Sequence, residues 1–103
     1  MTKTEVLLNY NQAVQQASKL EDVARKMEKL ASEKMEGTVG TLKNAWQSDS
    51  SSQYYNKVAK VQGDIRTTAR KIRTIARSIR TTAQAVKQAE LRSIEIAQAR
   101  SYR

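Results

Sequence analysis

In the first half of the chain, Val6, Ala13, Leu20 and Met27 recur every seven residues, and Tyr10, Ala17, Ala24 and Ala31 form a second column beside them. Steps of three and four return a helix to one face, so this spacing predicts an amphipathic helix with a two-column apolar stripe. The phase then slips by one residue at Met35, after which Val39, Leu42 and Trp46 continue at steps of four, three and four. The helix is expected to run on through the slip. Gly37 and Gly40 weaken this last stretch by about 1 kcal/mol each relative to Ala, which suggests that they serve close backbone approach.

The interval Gln47-Ser48-Asp49-Ser50-Ser51-Ser52-Gln53 is polar and poor in helix formers, and it reads as a turn. Ser50 with Gln53 fits a capping box that starts a second helix. From residue 65 the chain repeats nearly by heptad: Ile-Arg-Thr-Thr-Ala-Arg-Lys, Ile-Arg-Thr-Ile-Ala-Arg-Ser, Ile-Arg-Thr-Thr-Ala-Gln-Ala. On a helix, Ile65, Ile72, Ile79 and Val86 form one column. Val61, Thr68, Ile75, Thr82 and Ala89 stand beside it, with Ala69, Ala76 and Ala83 on the flank. The stripe is wide enough for two neighbours, and its period of seven predicts left-handed bundle packing. Ile94 and Ala97 keep the spacing loosely, and the tail Ser101-Tyr102-Arg103 is expected to fray. The expectation is one hairpin domain over 1–103, with helix 1 at about 4–46, the turn at about 47–51 and helix 2 at about 52–98.

Composition sharpens this. There is no Pro, Cys or His, and there are three Gly, so little interrupts a helix and neither a disulfide nor a Cys/His zinc site staples the chain. Burying an Ile or Leu contributes roughly 1.5–3 kcal/mol, while ordering each residue costs roughly 1.5 kcal/mol. A two-helix seam of Ala and β-branched residues is then near balance, and association is the remedy. The fold class expected is all-α: a two-helix antiparallel hairpin that pairs with a second chain into a four-helix bundle. The pairing interface falls on Tyr10, Leu20, Met27, Leu42, Val61, Ile65, Ile72, Ile75 and Ile79.

The strictly apolar run Val6-Leu7-Leu8 is far short of the roughly 20 residues that span a bilayer. The opening Met1-Thr2-Lys3-Thr4-Glu5 carries no Sec-type signal, so any export is expected to be leaderless. Without His or Cys, a Gly-rich phosphate loop or metal-ligand spacing, a non-enzymatic protein is expected, with no cofactor, metal or small-molecule substrate.

Charge is the remaining signal. The net charge is +9, and residues 50–103 carry twelve basic side chains against Asp64, Glu90 and Glu95. Arg66, Arg70, Arg73, Arg77 and Arg80 recur at steps of four and three and form a basic ridge. Binding nucleic acid is the alternative function this ridge suggests, although no aromatic is interleaved for stacking and no groove-reading motif surrounds it. If the turn lies near residue 49, the ridge can instead pair across the hairpin, with Arg77 level with Glu21 and Arg70 with Glu28. A homodimer would carry twice +9, or +18, so charge favours a more acidic partner. Helical hairpins also build filaments, a third reading. Trp46 at the helix end, with Tyr54 and Tyr55 near it, suits both a hydrophobic plug and a recognition site.

The stretch Leu42-x-x-x-Trp46-Gln47-Ser48-Asp49-Ser50-x-x-x-Tyr54 resembles the central signature of the WXG family, small helical hairpins exported by type VII secretion systems. In that family the pattern is apolar-x-x-x-Trp-x-Gly-x-small-x-x-x-aromatic, placed mid-chain. Ser48 stands where the family has Gly. The family's C-terminal export motif, Tyr-x-x-x-Asp/Glu, aligns only as Val86-x-x-x-Glu90, without its aromatic. The resemblance implies a secreted protein, made in the cytoplasm of a Gram-positive bacterium, whose export motif combines Trp46, Gln47 and Ser48 with Val86 and Glu90 or with a partner's motif. The implied partners are a second, more acidic WXG-like chain or the helical domain of an LXG-type toxin, with a homodimer as the other arrangement, and the type VII secretion ATPase.

Overall fold

The computed structural model describes residues 1–101; Tyr102 and Arg103, in the tail expected to fray, lie outside the described residues, and Ser101 is helical. Two helical arms are joined by a turn, and no strand occurs among the described residues. The first arm is helix α1 (Lys3–Lys29), a π-helical turn (Leu30–Met35) and helix α2 (Glu36–Ala45). The second arm is one helix, α3 (Asp49–Ser101).

Local chemistry accounts for these limits. Thr2 caps α1: its Oγ1 accepts from the Glu5 amide at 3.1 Å and donates to the Glu5 carboxylate at 3.2 Å. The first arm ends where Trp46 leaves the helical region (φ −134, ψ 102) while its amide still bonds the Leu42 carbonyl at 2.8 Å. The cap of α3 falls two residues earlier than the sequence suggested. Ser48, not Ser50, is the capping residue: its Oγ accepts from the Ser51 amide at 3.2 Å, and the Ser51 Oγ accepts from the Ser48 amide at 2.8 Å. Ser51 is buried, so its hydroxyl can reach back over the turn, a position the exposed Gln53 does not occupy.

The one-residue slip in the apolar pattern has a structural counterpart. A π turn holds one residue more than an α turn, and the one at Leu30–Met35 spans the step from Ala31 to Met35 where the pattern slips. The surplus residue is absorbed there, so the apolar column stays on one face. Gly37 and Gly40 do not serve close approach: a Cβ at either would meet nothing within 4 Å.

The chain divides into two compact units, Met1–Leu20 with the chain from Thr74 on, and Glu21–Arg73. In the first, Val6, Ala17 and Ala76 are buried; in the second, Ala24, Ala31 and Ala69 are, together with Gln62. Each unit is therefore closed mainly by alanine. The larger side chains of the same stripes, Tyr10, Leu20, Met27, Leu42, Ile65, Ile72 and Ile79, are only half-buried. An alanine contributes one methyl where a leucine contributes four carbons, at about 0.8 kcal/mol per buried CH2. The seam gains little, and much aliphatic surface stays uncovered.

Candidate functional site

Around the turn, three rings form a cluster. Trp46 lies 5.8 Å from Tyr54 and 6.4 Å from Tyr55, centroid to centroid, and the two tyrosines are 5.9 Å apart. Tilted and edge-on pairs at such spacing are mutually attractive. The Tyr55 hydroxyl donates to the Trp46 carbonyl at 2.8 Å, and the Lys43 ammonium stands 5.2 Å from the Tyr55 ring centre. Tyr55 is thus held from three sides, while Trp46 remains 39% exposed and Tyr54 is exposed too. Beside them, Gln47, Ser48, Ser51 and Ser52 complete a small cleft. Among the described residues no non-glycine residue has positive φ, so the turn makes no demand that only glycine meets. Ser48 supplies the cap of α3 at the place where the WXG signature has Gly.

In the unit containing residues 1–20 and 74–101, a groove of about 550 Å³ runs between the arms, lined by Val6, Tyr10, Ala13, Ile75, Ile79 and Val86 among others. Ile75 and Val86 are each 53% exposed, and Leu7, Leu8 and Ile96 are exposed as well. Ile75 and Val86 line one groove, three helical turns apart on the same face of α3. Glu90 lines the groove one turn beyond Val86, and the Lys87 ammonium sits 3.9 Å from the centre of the Tyr10 ring. In the other unit, Val23, Leu30 and Val61 are exposed.

The basic ridge is largely engaged by its own chain. Arg66 Nη2 lies 3.0 Å from Glu36 Oε1. Arg73 Nε donates to Glu28 Oε1 at 2.9 Å, with Nη2 on the same oxygen. Arg80 Nη2 donates to Ser18 Oγ at 2.8 Å, and Arg70 Nη2 to Thr67 Oγ1 at 3.2 Å. Arg77 is exposed. Glu28 takes Arg73 rather than the expected Arg70, because side chains lean toward the N-terminus of their own helix. Across an antiparallel pair the two partners lean toward each other, and the bridge forms between positions that are not level.

Gln62, Ser51, Lys87 and the alanine seam were not singled out from the sequence as site residues. Gln62 had a signal: it stands seven residues before Ala69, a polar residue in a column of alanines. The Lys87–Tyr10 contact has none, since it joins residues far apart in the chain.

The chain is thus a helical hairpin closed mainly by alanine, with aliphatic side chains left exposed and an aromatic cluster at its turn. Residues 10–101 match the PPE family, and the chain belongs to that family. The PPE family is a mycobacterial N-terminal domain associated with type VII secretion, and its proteins pair with partner proteins in those systems. The link to type VII secretion agrees with the sequence reading, but the family is PPE and not WXG. The WXG likeness rested on the two long helices, the Trp46 turn and the acidic Glu90, and it departs at Ser48 and at the missing aromatic before Glu90, whereas the PPE match is to a family model over residues 10–101. No curated protein and no solved structure matches the chain.

Proposed function

We propose that this protein is a non-enzymatic type VII secretion substrate or co-secreted partner that acts by pairing with a second helical chain. The second chain lays its apolar stripe on the rows left open by the alanine seam and completes a four-helix bundle. The observation that carries this reading is the exposure of Ile75 and Val86 beside the groove while the seam between the arms is buried mainly through alanines. The net charge of +9 favours an acidic partner: a WXG-like chain or the helical domain of an LXG-type toxin. A homodimer at +18, twice +9, is disfavoured at low salt. Trp46, Gln47 and Ser48, at the exposed turn, are the part offered to the secretion ATPase, with Val86 and Glu90 or the partner's equivalent motif as its second element.

Co-expression with the products of neighbouring genes, followed by purification and mass determination in solution, tests this. The expected result is a one-to-one complex; a chain that stays monomeric at micromolar concentration beside every such product contradicts it. Arg66 and Arg73 pair with Glu36 and Glu28 across the hairpin, which supports the pairing reading; the nucleic-acid reading predicts steeply salt-dependent binding of DNA or RNA.

A further inference from the structure

The π turn at Leu30–Met35 raises a question of position. The first arm has one residue too many for its apolar columns to stay in phase, and that surplus could be taken up at any turn between Ala24 and Val39. Each choice would present a different set of residues to α3. It is taken up where Ala31 lies fully buried. A buried carbonyl needs a donor, and the alignment of carbonyls along a π turn differs from that along an α-helix. Gln62, only 8% exposed, supplies one: its Nε2 donates to the Ala31 carbonyl at 2.8 Å, across thirty-one residues of chain. Other back-bonds near the turn are local, Ser32 Oγ to the Glu28 carbonyl and Thr38 Oγ1 to the Lys34 carbonyl. Just beyond the turn, Glu36 is held by Arg66 at 3.0 Å. The second arm thus grips the π turn at both ends, once through a buried neutral pair and once through an exposed ionic one.

We propose that Gln62 is a positioning residue that pins the π turn at Leu30–Met35 and so decides which side chains of the first arm close against α3 and which stay outside. An alanine seam carries little information of its own, since one methyl fits a neighbouring site nearly as well as another. A single buried polar pair is selective where alanines are not: moving the π turn by one helical turn leaves the Gln62 amide buried with no acceptor. Buried polar side chains set register in other helical assemblies for the same reason. In the pinned arrangement Ala31 is buried and Leu30 is exposed. The pin acts within the chain's own packing and needs no second chain.

The test is a cycle on the full chain, in complex with its partner if one copurifies: wild type, Gln62→Leu, deletion of Ser32, and the two changes together. Deleting Ser32 removes the surplus residue, so an unbroken α-helix keeps both columns in phase and the Ala31 carbonyl takes the i→i+4 bond of an α-helix, aimed differently from its bond in the π turn. In the wild-type background Gln62→Leu removes the side-chain donor from that buried carbonyl, and the unfolding equilibrium constant should rise about tenfold. In the deletion background the same substitution should be neutral or stabilising, because it removes a buried amide that no longer has a partner. If Gln62→Leu alone fails to fold, the double variant should restore the folded chain. Slow hydrogen exchange of the Gln62 side-chain amide, lost on deleting Ser32, is the independent readout. An equal effect of Gln62→Leu in both backgrounds, failure of the double variant to fold, or rapid exchange of that amide in the wild type overturns the proposal.

Discussion

Ile75 and Ala76 are neighbours in α3 with opposite environments, 53% exposed and fully buried, and they make a sharp test of which face closes the hairpin. Changing Ile75 to Ala removes three carbons, about 2.4 kcal/mol at 0.8 kcal/mol per CH2 if all were buried. Since about half of the side chain is already in water, the isolated chain should lose only about 1 kcal/mol. The other half is lost only where a partner would have covered it, about tenfold in Kd. Changing Ala76 to Leu instead adds three carbons to a closed position. Overpacking of this kind costs about 1–3 kcal/mol, with little direct effect on a partner that docks on the other face. Urea unfolding followed by far-UV circular dichroism measures the first quantity, and titration with the partner the second. The expected order is Ala76→Leu worse for the chain and Ile75→Ala worse for the complex. The reverse order in both assays would refute the assignment of the seam to alanine.

Three further outcomes follow from the local geometry. Gly37→Ala and Gly40→Ala should each stabilise the chain by up to about 1 kcal/mol, because neither added Cβ meets an atom within 4 Å; a loss in thermal midpoint would show that the space is not free. Ser48→Ala should cost about 1 kcal/mol and Ser48→Gly only a few tenths, as for other helix caps, read from the same unfolding curves; equal losses would remove Ser48 from that role. Trp46→Gly should impair export in a type VII-competent host while leaving helicity largely intact, and full secretion of the variant would refute a recognition role for the turn.

The helices and the turn were legible because their signals are local: periodicity, the absence of Pro, and a polar interval at one place. Even the π turn had left its mark, as the slip of one residue before Met35. What the sequence could not rank was the two faces of a wide stripe. Ile65, Ile72 and Ile79 read as the surface for a second chain, with Ala69, Ala76 and Ala83 on their flank, but periodicity alone does not say which of these columns closes the hairpin. In the fold the arms approach closely enough to bury Ala24, Ala31 and Ala69, and the isoleucines are left half-buried. Close approach favours the smallest side chains, a geometric criterion that a hydrophobicity pattern does not contain. The arginine pairs were read in kind but not in partner, because the lean of side chains along each helix shifts a bridge away from the level position. Ser48 was read as a departure from a signature, when its own chemistry suits it to begin α3.

The central claim is that the uncovered aliphatic row of α3 is covered by a second chain. Because the protein has no cysteine, single cysteines can report on this directly. Ile75→Cys and Val86→Cys should react with a thiol reagent in the isolated chain about as fast as Lys26→Cys, at an exposed position of α1. In the purified complex the first two should become protected while Lys26→Cys keeps its rate. Unchanged labelling at Ile75→Cys and Val86→Cys in that complex would contradict the account.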